Sequence, residues 1–278
     1  MIVYYPNTDL EDAIMFDCHM HSKFSIDGKM TIEEAYDTAV SKGLSGIALT
    51  EHFDYDFPSS EVFVTDFDEY IHQIDEISHK YKCELKILKS IEVGYQPHVI
   101  EKTYETIVNR CFDYVLSSVH VVDFKDPYYE SFYDGITIKE ACLLYLNEIL
   151  NSIKNYPDFD VLGHIDYIRR YLPVENKLLN YIDYKDVLDD ILITLISLDK
   201  GLEFNTGGLR YSIDPPFTDI NIYKRFKELG GEKICLGSDA HSTINIADGF
   251  SEASNLLKNI GFKYFVHFEN RKAIFDKI

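Results

Sequence analysis

The residues best suited to chemistry are histidines and carboxylates that directly follow apolar segments. The sequence DCHMH at 17–21 comes after the apolar residues 13–16. On a β-strand, residues two apart point to the same side, so Asp17, His19 and His21 would share one face. Two imidazoles on one face can bind the same metal ion. A His-x-His pair also occurs by chance on surface strands, so the placement of the other histidines decides how it is interpreted.

The other candidate ligands follow apolar segments in the same way. They are His52, Glu92, His120, His164 and the pair Asp239 and His241. In closed parallel α/β barrels, functional residues lie at the carboxyl ends of the strands, where all of these side chains would meet. The other histidines lie in predicted helices or inside the last predicted strand, and we expect surface or packing roles for them. These are His72, His79, His98 and His267.

Strand-like apolar segments alternate with amphipathic helical segments, which predicts a parallel α/β fold. The predicted barrel strands are 13–21, 45–49, 85–91, 114–119, 160–162, 202–205 and 233–236. The predicted helices are 31–42, 66–80, 100–109, 138–154, 184–198 and 220–229, with 256–258 in a final helix and 264–268 as a short closing strand. No repeat or linker interrupts the pattern, so we expect one domain over 1–278.

The composition of the chain indicates which kinds of binding partner are unfavourable. The chain has 27 basic and 47 acidic residues and a net charge of −20, which disfavours nucleic acid and anionic membranes as partners. Five scattered cysteines without a C-x-x-C pair suggest reduced thiols in a cytoplasmic protein. The first residues lack the basic and apolar regions of a signal peptide, and no apolar run approaches the ~18 residues of a membrane span.

The candidate ligands are too many for one metal ion. Five or six histidines with two or three carboxylates exceed the four ligands of a tetrahedral zinc. They suit two or three divalent ions that share bridging carboxylates, and zinc, manganese and iron all accept this ligand mixture. Ions ~3.5–4 Å apart commonly hydrolyse phosphate esters, because they generate hydroxide at neutral pH and neutralise the phosphoryl charge.

The segments DCHMHS, SIDG, ALTEHFD, IEVG, SSVH, VLGHIDY and GSDAH occur in this order at characteristic spacings. Together they resemble the PHP (polymerase and histidinol phosphatase) family, and most of all its stand-alone histidinol-phosphate phosphatases. The likeness runs from Phe16 to His241. It implies a distorted (β/α)7 barrel with a metal site at the carboxyl ends of the strands, and hydrolysis of L-histidinol phosphate by metal-bound hydroxide.

The resemblance also implies how three ions are held. The first would be bound by His19, His21, Glu92 and Asp239. The second would be bound by Glu92, His120 and His164, and the third by Asp27, His52 and His241. Many family members have histidine where this chain has Asp27, and without the resemblance Asp27-Gly28 would be interpreted as an ordinary turn. Asp17 is expected to orient a histidine rather than to bind an ion.

Phosphate needs donors besides the metal ions. Arg169 and Arg210 follow the fifth and sixth predicted strands, and arginine suits a bidentate phosphate contact, although surface salt bridges are the alternative. Catalysis is assigned to Glu92, Asp239 and His241. The acidic, aromatic loops 53–57 and 123–133 are candidates to hold the cationic, ring-bearing part of histidinol, or to act as ordinary lid loops.

Three alternatives remain open at this stage. The same site would suit phosphotyrosine proteins or nucleotide esters as substrates. Metal-dependent amidohydrolases also begin with His-x-His and often use a carboxylated lysine as bridge, for which Lys89 is the candidate. A metal-binding protein without catalysis is the third alternative, although no ligand position is missing. The C-x5-R signature of cysteine phosphatases, a Walker loop and G-x-G-x-x-G are all absent.

Overall fold

The computed structural model describes residues 15–59, 61–81, 85–175, 177–211 and 213–278. The strands in these ranges are β1 (Phe16–Met20), β2 (Gly46–Asp54), β3 (Phe63–Val64), β4 (Lys86–Gly94), β5 (Tyr114–Ser118), β6 (Val161–Leu162), β7 (Gly201–Asn205), β8 (Ile234–Gly237), β9 (Tyr264–Glu269) and β10 (Lys272–Lys277). The α-helices are α1 (Ile32–Ser41), α2 (Phe67–Tyr81), α3 (Ile100–Val108), α4 (Ile138–Asn155), α5 (Lys185–Ser197), α6 (Ile220–Glu228) and α7 (Phe250–Ile260). Ala13 and Ile14 of the first predicted strand, and Cys83, lie outside the described residues.

Seven parallel strands form the barrel in the order β1, β2, β4, β5, β6, β7, β8. The barrel closes between β8 and β1, where His21 N donates to Ala240 O (2.8 Å) and Asp239 N donates to His19 O (2.7 Å). The pairing of β1 with β2 shifts register between Asp17 and Met20. The predicted distorted (β/α)7 barrel is therefore confirmed, and all seven carboxyl ends lie at one end of it.

The last predicted strand does not belong to the barrel. β9 pairs antiparallel with β10, which the sequence patterns did not predict. Val266 and Phe268 of β9 join a buried cluster with barrel residues such as Cys18 and Leu116, and the ring of Phe268 stacks on Tyr114 at the start of β5. The hairpin thus covers the amino-terminal end of the barrel, opposite the carboxyl ends of the strands.

Two central strands are longer than predicted. β2 continues to Asp54 and β4 to Gly94, because the two strands pair in register as far as Phe53 and Val93. The short strand β3 then pairs with the end of β2. Residues 53 and 54 therefore belong to β2 and not to the predicted loop 53–57. The added length places His52 directly beside its register partner Glu92.

Two helices begin with a capping box. Thr31 caps α1 and forms a capping box with Glu34, and Thr137 forms the same arrangement with Glu140 at α4. Such boxes satisfy backbone N–H groups that a helix start leaves without partners. No described helix is long and apolar enough to cross a membrane.

The hydroxyl of Tyr70 on α2 ties together the two strands that carry His52 and Glu92. It donates to Leu49 O (2.5 Å) and accepts from Ser90 N (2.9 Å), and the residue is fully buried. Removing the hydroxyl leaves both backbone groups without this partner in an apolar environment. Tyr70→Phe should therefore lower the free energy of unfolding by about 1–3 kcal/mol.

Chemical denaturation followed by circular dichroism measures this change. The matched control is Tyr104→Phe, because Tyr104 is 52% exposed on α3 and its loss of a hydroxyl should cost less than about 0.5 kcal/mol. Equal effects of the two substitutions would contradict a structural role for the Tyr70 hydroxyl.

Candidate metal centre

All nine predicted metal ligands converge at the carboxyl end of the barrel. Seven of them line a cavity of about 420 Å³, and His19 and His21 are fully buried beside it. Four overlapping groups of His, Asp and Glu side chains in the described chain have ligand atoms within 4.8 Å of one another. The parallel strands produce this convergence, since every ligand except Asp27 stands at or just beyond the end of a strand.

The first group consists of the two imidazoles of the His-x-His sequence and two carboxylates. His19 Nε2 and His21 Nε2 lie 3.1 Å apart. Glu92 Oε2 is 3.5 Å from His19 Nε2 and 3.4 Å from His21 Nε2, and Asp239 Oδ1 is 3.6 Å from both. Both carboxylate oxygens therefore lie within 3.6 Å of the two ring nitrogens.

Glu92 links the first group to a second. Its other oxygen, Oε1, lies 2.9 Å from His164 Nε2 and 3.4 Å from His120 Nε2. The two ring nitrogens are themselves 3.4 Å apart. One carboxylate with an oxygen directed at each group is the arrangement of a bridging ligand.

The third group lies nearest to solvent. Asp27 Oδ2 is 3.0 Å from His241 Nε2, and Asp27 Oδ1 is 3.6 Å from His52 Nε2. The turn that presents Asp27 requires glycine at 28, because a Cβ there would lie 1.8 Å from Ser22 O. Asp27-Gly28 is thus both a turn and part of the cluster.

The polar atoms of the cluster fit divalent cations. Glu92 Oε2 accepts no hydrogen bond from any described residue, although imidazole nitrogens lie 3.1–3.5 Å from it. The Nε2 atoms of His19 and His21 face each other at 3.1 Å, and those of His120 and His164 at 3.4 Å. Protons on both atoms of a pair would repel each other. Unprotonated Nε2 atoms could instead direct their lone pairs at a metal ion. Imidazole and carboxylate together suit zinc, manganese or iron.

Electrostatics support the same conclusion. Burial opposes ionisation of Glu92, but the positive charge of His19 and His120 holds its pKa well below the usual value. Burial likewise opposes protonation of His19, yet Glu203, Glu92 and Asp239 hold its pKa well above the usual value. Carboxylates buried this deeply need compensating positive charge, which protonated imidazoles or divalent cations can supply.

Glu203 on β7 is a functional residue that the sequence analysis missed. Its Oε1 accepts from His19 Nδ1 (2.7 Å), and its Oε2 accepts from the backbone N–H of His164 (2.6 Å). The carboxylate occupies the space over Gly237, where a Cβ would lie 2.0 Å from Oε1. One side chain therefore fixes the tautomer of His19, so that its Nε2 lone pair faces the cluster.

Asp54 does the same for His120. Its Oδ1 accepts from His120 Nδ1 at 2.7 Å, and it fills the space over Gly94, where a Cβ would lie 1.7 Å from that oxygen. The signal in the sequence was its position two residues after His52, which places both side chains on the same face of β2.

Asp17 has a different role from the expected one. Its Oδ1 accepts from Ser238 N (3.0 Å) and, more weakly, from His19 N (3.4 Å), and its Oδ2 accepts from Ala247 N (2.9 Å). Burial raises the pKa of Asp17 to about 6. It therefore holds backbone at the junction of β1 and β8, and the imidazole of His19 is oriented by Glu203 instead.

The two arginines that were predicted to bind phosphate lie in different environments. Arg169 points away from the cavity and donates to Lys177 O, Asp166 Oδ2, Phe217 O and Pro215 O. Arg210 Nη2 lies 3.3 Å from Asp239 Oδ2.

The next residue, Arg170, lines the cavity and donates to Asp239 Oδ2. The positive charge of Arg170 and Arg210 outweighs burial and holds the pKa of Asp239 well below its usual value.

The other histidines are remote from the cluster. His72, His79 and His98 are exposed, as expected. His267 stacks on Phe16 and contacts Asp276 and Glu269 under the barrel. Lys89 Nζ pairs with Asp75 (2.6 Å), so the lysine bridge of the amidohydrolase alternative is not in the cluster and Glu92 occupies the bridging position.

We predict that Glu203→Gln weakens metal binding by about 10- to 100-fold, because an amide cannot supply two ionic acceptors to His19 and to the His164 backbone. Titration of the metal-free protein with zinc against a chromophoric chelator measures the affinity. Glu252→Gln is the matched control, since Glu252 is exposed on α7. Equal affinity of the Glu203 and Glu252 variants would refute the role assigned to Glu203.

Comparison with known proteins places this site in a family. The model of the PHP domain matches residues 17–207. A protein of Clostridium acetobutylicum named probable histidinol-phosphatase is 34% identical over 93% of this chain and 98% of its own. The histidinol-phosphatase of Lactococcus lactis subsp. lactis is 31% identical over 92% of this chain and 95% of its own.

A solved structure agrees with these matches. The crystal structure of histidinol phosphate phosphatase from Lactococcus lactis, complexed with zinc, L-histidinol and phosphate, superposes with a TM-score of 0.86 at 30% identity. The match covers 94% of this chain and 98% of that one. The family model spans most of the barrel that carries the nine converging side chains, and the chain belongs to the PHP domain family.

Proposed function

We propose that the protein is a metal-dependent phosphomonoesterase that hydrolyses L-histidinol phosphate to L-histidinol and phosphate. The observation that carries the proposal is the bridging position of Glu92 between two groups of imidazoles at the floor of an open cavity. The Lactococcus relative, similar over nearly the whole chain, holds zinc, L-histidinol and phosphate.

We further propose that these nine side chains hold three ions. His19, His21, Glu92 and Asp239 form the first site, Glu92, His120 and His164 form the second, and Asp27, His52 and His241 form the third. When bound, clustered ions make water nucleophilic at neutral pH and neutralise the charge on phosphate. Glu203 and Asp54 keep the ring nitrogens of His19 and His120 directed at the cluster.

Arg170 replaces Arg169 as the proposed phosphate donor. Its guanidinium lies between two tyrosine rings, 4.9 Å from the centre of Tyr167 and 4.8 Å from that of Tyr211. These rings and Asp239 hold the planar group at the cavity wall, where it can make a bidentate contact with phosphoryl oxygens. Arg210 adds positive charge beside Asp239, since its Nη2 lies 3.3 Å from Asp239 Oδ2.

We also propose that residues 1–278 act as one phosphatase domain in the cytoplasm. In support, the ligands of the first site come from both ends of the barrel sequence, from His19 to Asp239. The described cysteines Cys18, Cys111, Cys142 and Cys235 are free thiols, as is usual in reducing compartments. The net charge of −20 favours a small substrate over nucleic acid.

Glu92→Gln tests the bridge. Because an amide cannot carry the shared negative charge, phosphate release from L-histidinol phosphate should fall by about a thousandfold or more. Chelation of metal from the wild-type protein should abolish activity, and zinc or manganese should restore it. Full activity in Glu92→Gln, or in the metal-free protein, would refute the proposed site.

Substituting the neighbouring arginines separates binding from stability. Arg170→Met should raise KM for the phosphate ester by about 10- to 100-fold, and it should lower the melting temperature less than Arg169→Met does, because Arg210 still pairs with Asp239. Arg169→Met should lower the melting temperature by several degrees, since buried acceptors lose their donors, while KM at low temperature stays close to that of the wild type. The reverse pattern would return the phosphate role to Arg169.

A further inference from the structure

We propose that Asp126, together with the tyrosines beside it, forms a subsite that binds the cationic part of the leaving group. This inference rests on the proposed function, because it concerns the alcohol portion of the same phosphate ester. The loop 123–133 that carries Asp126 is acidic and aromatic, and the structure brings part of it into the wall of the cavity.

A row of aromatic rings leads from the metal centre to this loop. Tyr167 lies 5.0 Å from the ring of His120 and 5.1 Å from that of His164. Tyr171 is 5.3 Å from Tyr167, and Tyr128 is 5.5 Å from Tyr171. The three tyrosines all line the cavity, so a substrate with its phosphate at the ions would extend along this row of rings.

The carboxylate of Asp126 has no opposite charge to pair with. Of the carboxylates that line the cavity, Asp27, Asp54, Glu92 and Asp239 contact histidine or arginine. Among the described residues, no basic side chain lies within ion-pair distance of Asp126 or of Glu61. Glu61 is exposed, whereas Asp126 is partly buried, and burial raises its pKa. A cation bound here would offset the cost of burying the charge, and the tyrosine faces would add cation–π attraction.

The loop holds Asp126 in place before any ligand arrives. Asp126 Oδ1 accepts from Tyr128 N (2.8 Å), and Tyr129 N donates to Asp126 O (3.1 Å). Just before this turn, Val122 and Lys125 exchange two backbone hydrogen bonds of 2.9 and 3.0 Å. A fixed carboxylate loses little conformational freedom on binding, which favours discrimination between charged and neutral groups.

The cavity therefore has two regions of opposite preference. Arg170 and the metal centre attract the phosphate, and Asp126 attracts an ammonium or imidazolium group on the same molecule. L-histidinol carries both a primary amine and an imidazole, so the shared chemistry is a cation attached to a short alcohol. Esters with neutral alcohols would gain only the phosphate contacts.

Calorimetric titration of the metal-loaded protein tests the subsite without requiring turnover. In Asp126→Asn, which keeps an oxygen for the Tyr128 N–H, we expect L-histidinol to bind about 10- to 100-fold more weakly than to the wild type, while inorganic phosphate binds equally well. Asp123→Asn is the matched control, because Asp123 is exposed on the same loop and asparagine tolerates its positive φ of 48°.

N-acetyl-L-histidinol, whose amine is neutral, identifies the group that is bound. If Asp126 contacts the ammonium, acetylation should weaken binding to the wild type. The wild type and Asp126→Asn should then bind N-acetyl-L-histidinol with equal affinity. If it contacts the imidazolium, Asp126→Asn should weaken binding of both compounds. Three results would overturn the subsite. Asp126→Asn could bind L-histidinol as tightly as the wild type does, it could lose phosphate binding to the same extent as L-histidinol binding, or the wild type could fail to bind L-histidinol. Hydrolysis of L-histidinol phosphate, measured separately, tests the proposed function itself.

Discussion

The structure depends on the burial of carboxylate charge at one end of a parallel barrel. Glu92, Asp239, Glu203 and Asp54 are all nearly inaccessible to solvent, and burying an unpaired carboxylate costs several kcal/mol. Imidazoles, arginines and the proposed ions supply the compensating positive charge. The fold must therefore deliver opposite charges to the same few ångströms, and this requirement explains features that packing alone does not.

The closure of the barrel is one such feature. The hydrogen bonds that join β8 to β1 involve the backbones of His19, His21 and Asp239, so the seam of the barrel and the first group of proposed ligands are built from the same residues. The buried carboxylate of Asp17 on β1 stabilises this seam by accepting hydrogen bonds from Ser238 N and Ala247 N. A disturbance of the seam would separate the proposed ligands of both strands, so we expect stability and metal binding to be coupled.

The barrel and the convergent ligands were predictable because both follow from local patterns. Apolar segments specify the strands, and in a parallel barrel the residue after each strand has a fixed location. The residues that hydrogen-bond to those ligands were harder to predict from the sequence. Glu203 reaches His19 across two strand ends that are far apart in sequence, and no pattern along the chain records that contact.

The arginines show a second reason why the site could not be predicted fully from the sequence. Residues 167–170 form a 3₁₀ turn, in which neighbouring side chains diverge sharply, so a shift of one residue exchanges a buried structural arginine for one that faces the cavity. The hairpin of β9 and β10 was missed because a single apolar strand at the end of the chain does not reveal whether it joins the barrel or covers it.

The space over Gly237 and Gly94 has a consequence for how this sequence can vary. Each glycine and the carboxylate above it, Glu203 or Asp54, share one volume, so a methyl group at either glycine would displace an acid from its histidine. Glycine and acid therefore form a unit of two positions on adjacent strands. A chain that gained alanine at 237 would need a shorter residue at 203, and the imidazole of His19 would then have to be oriented by another side chain.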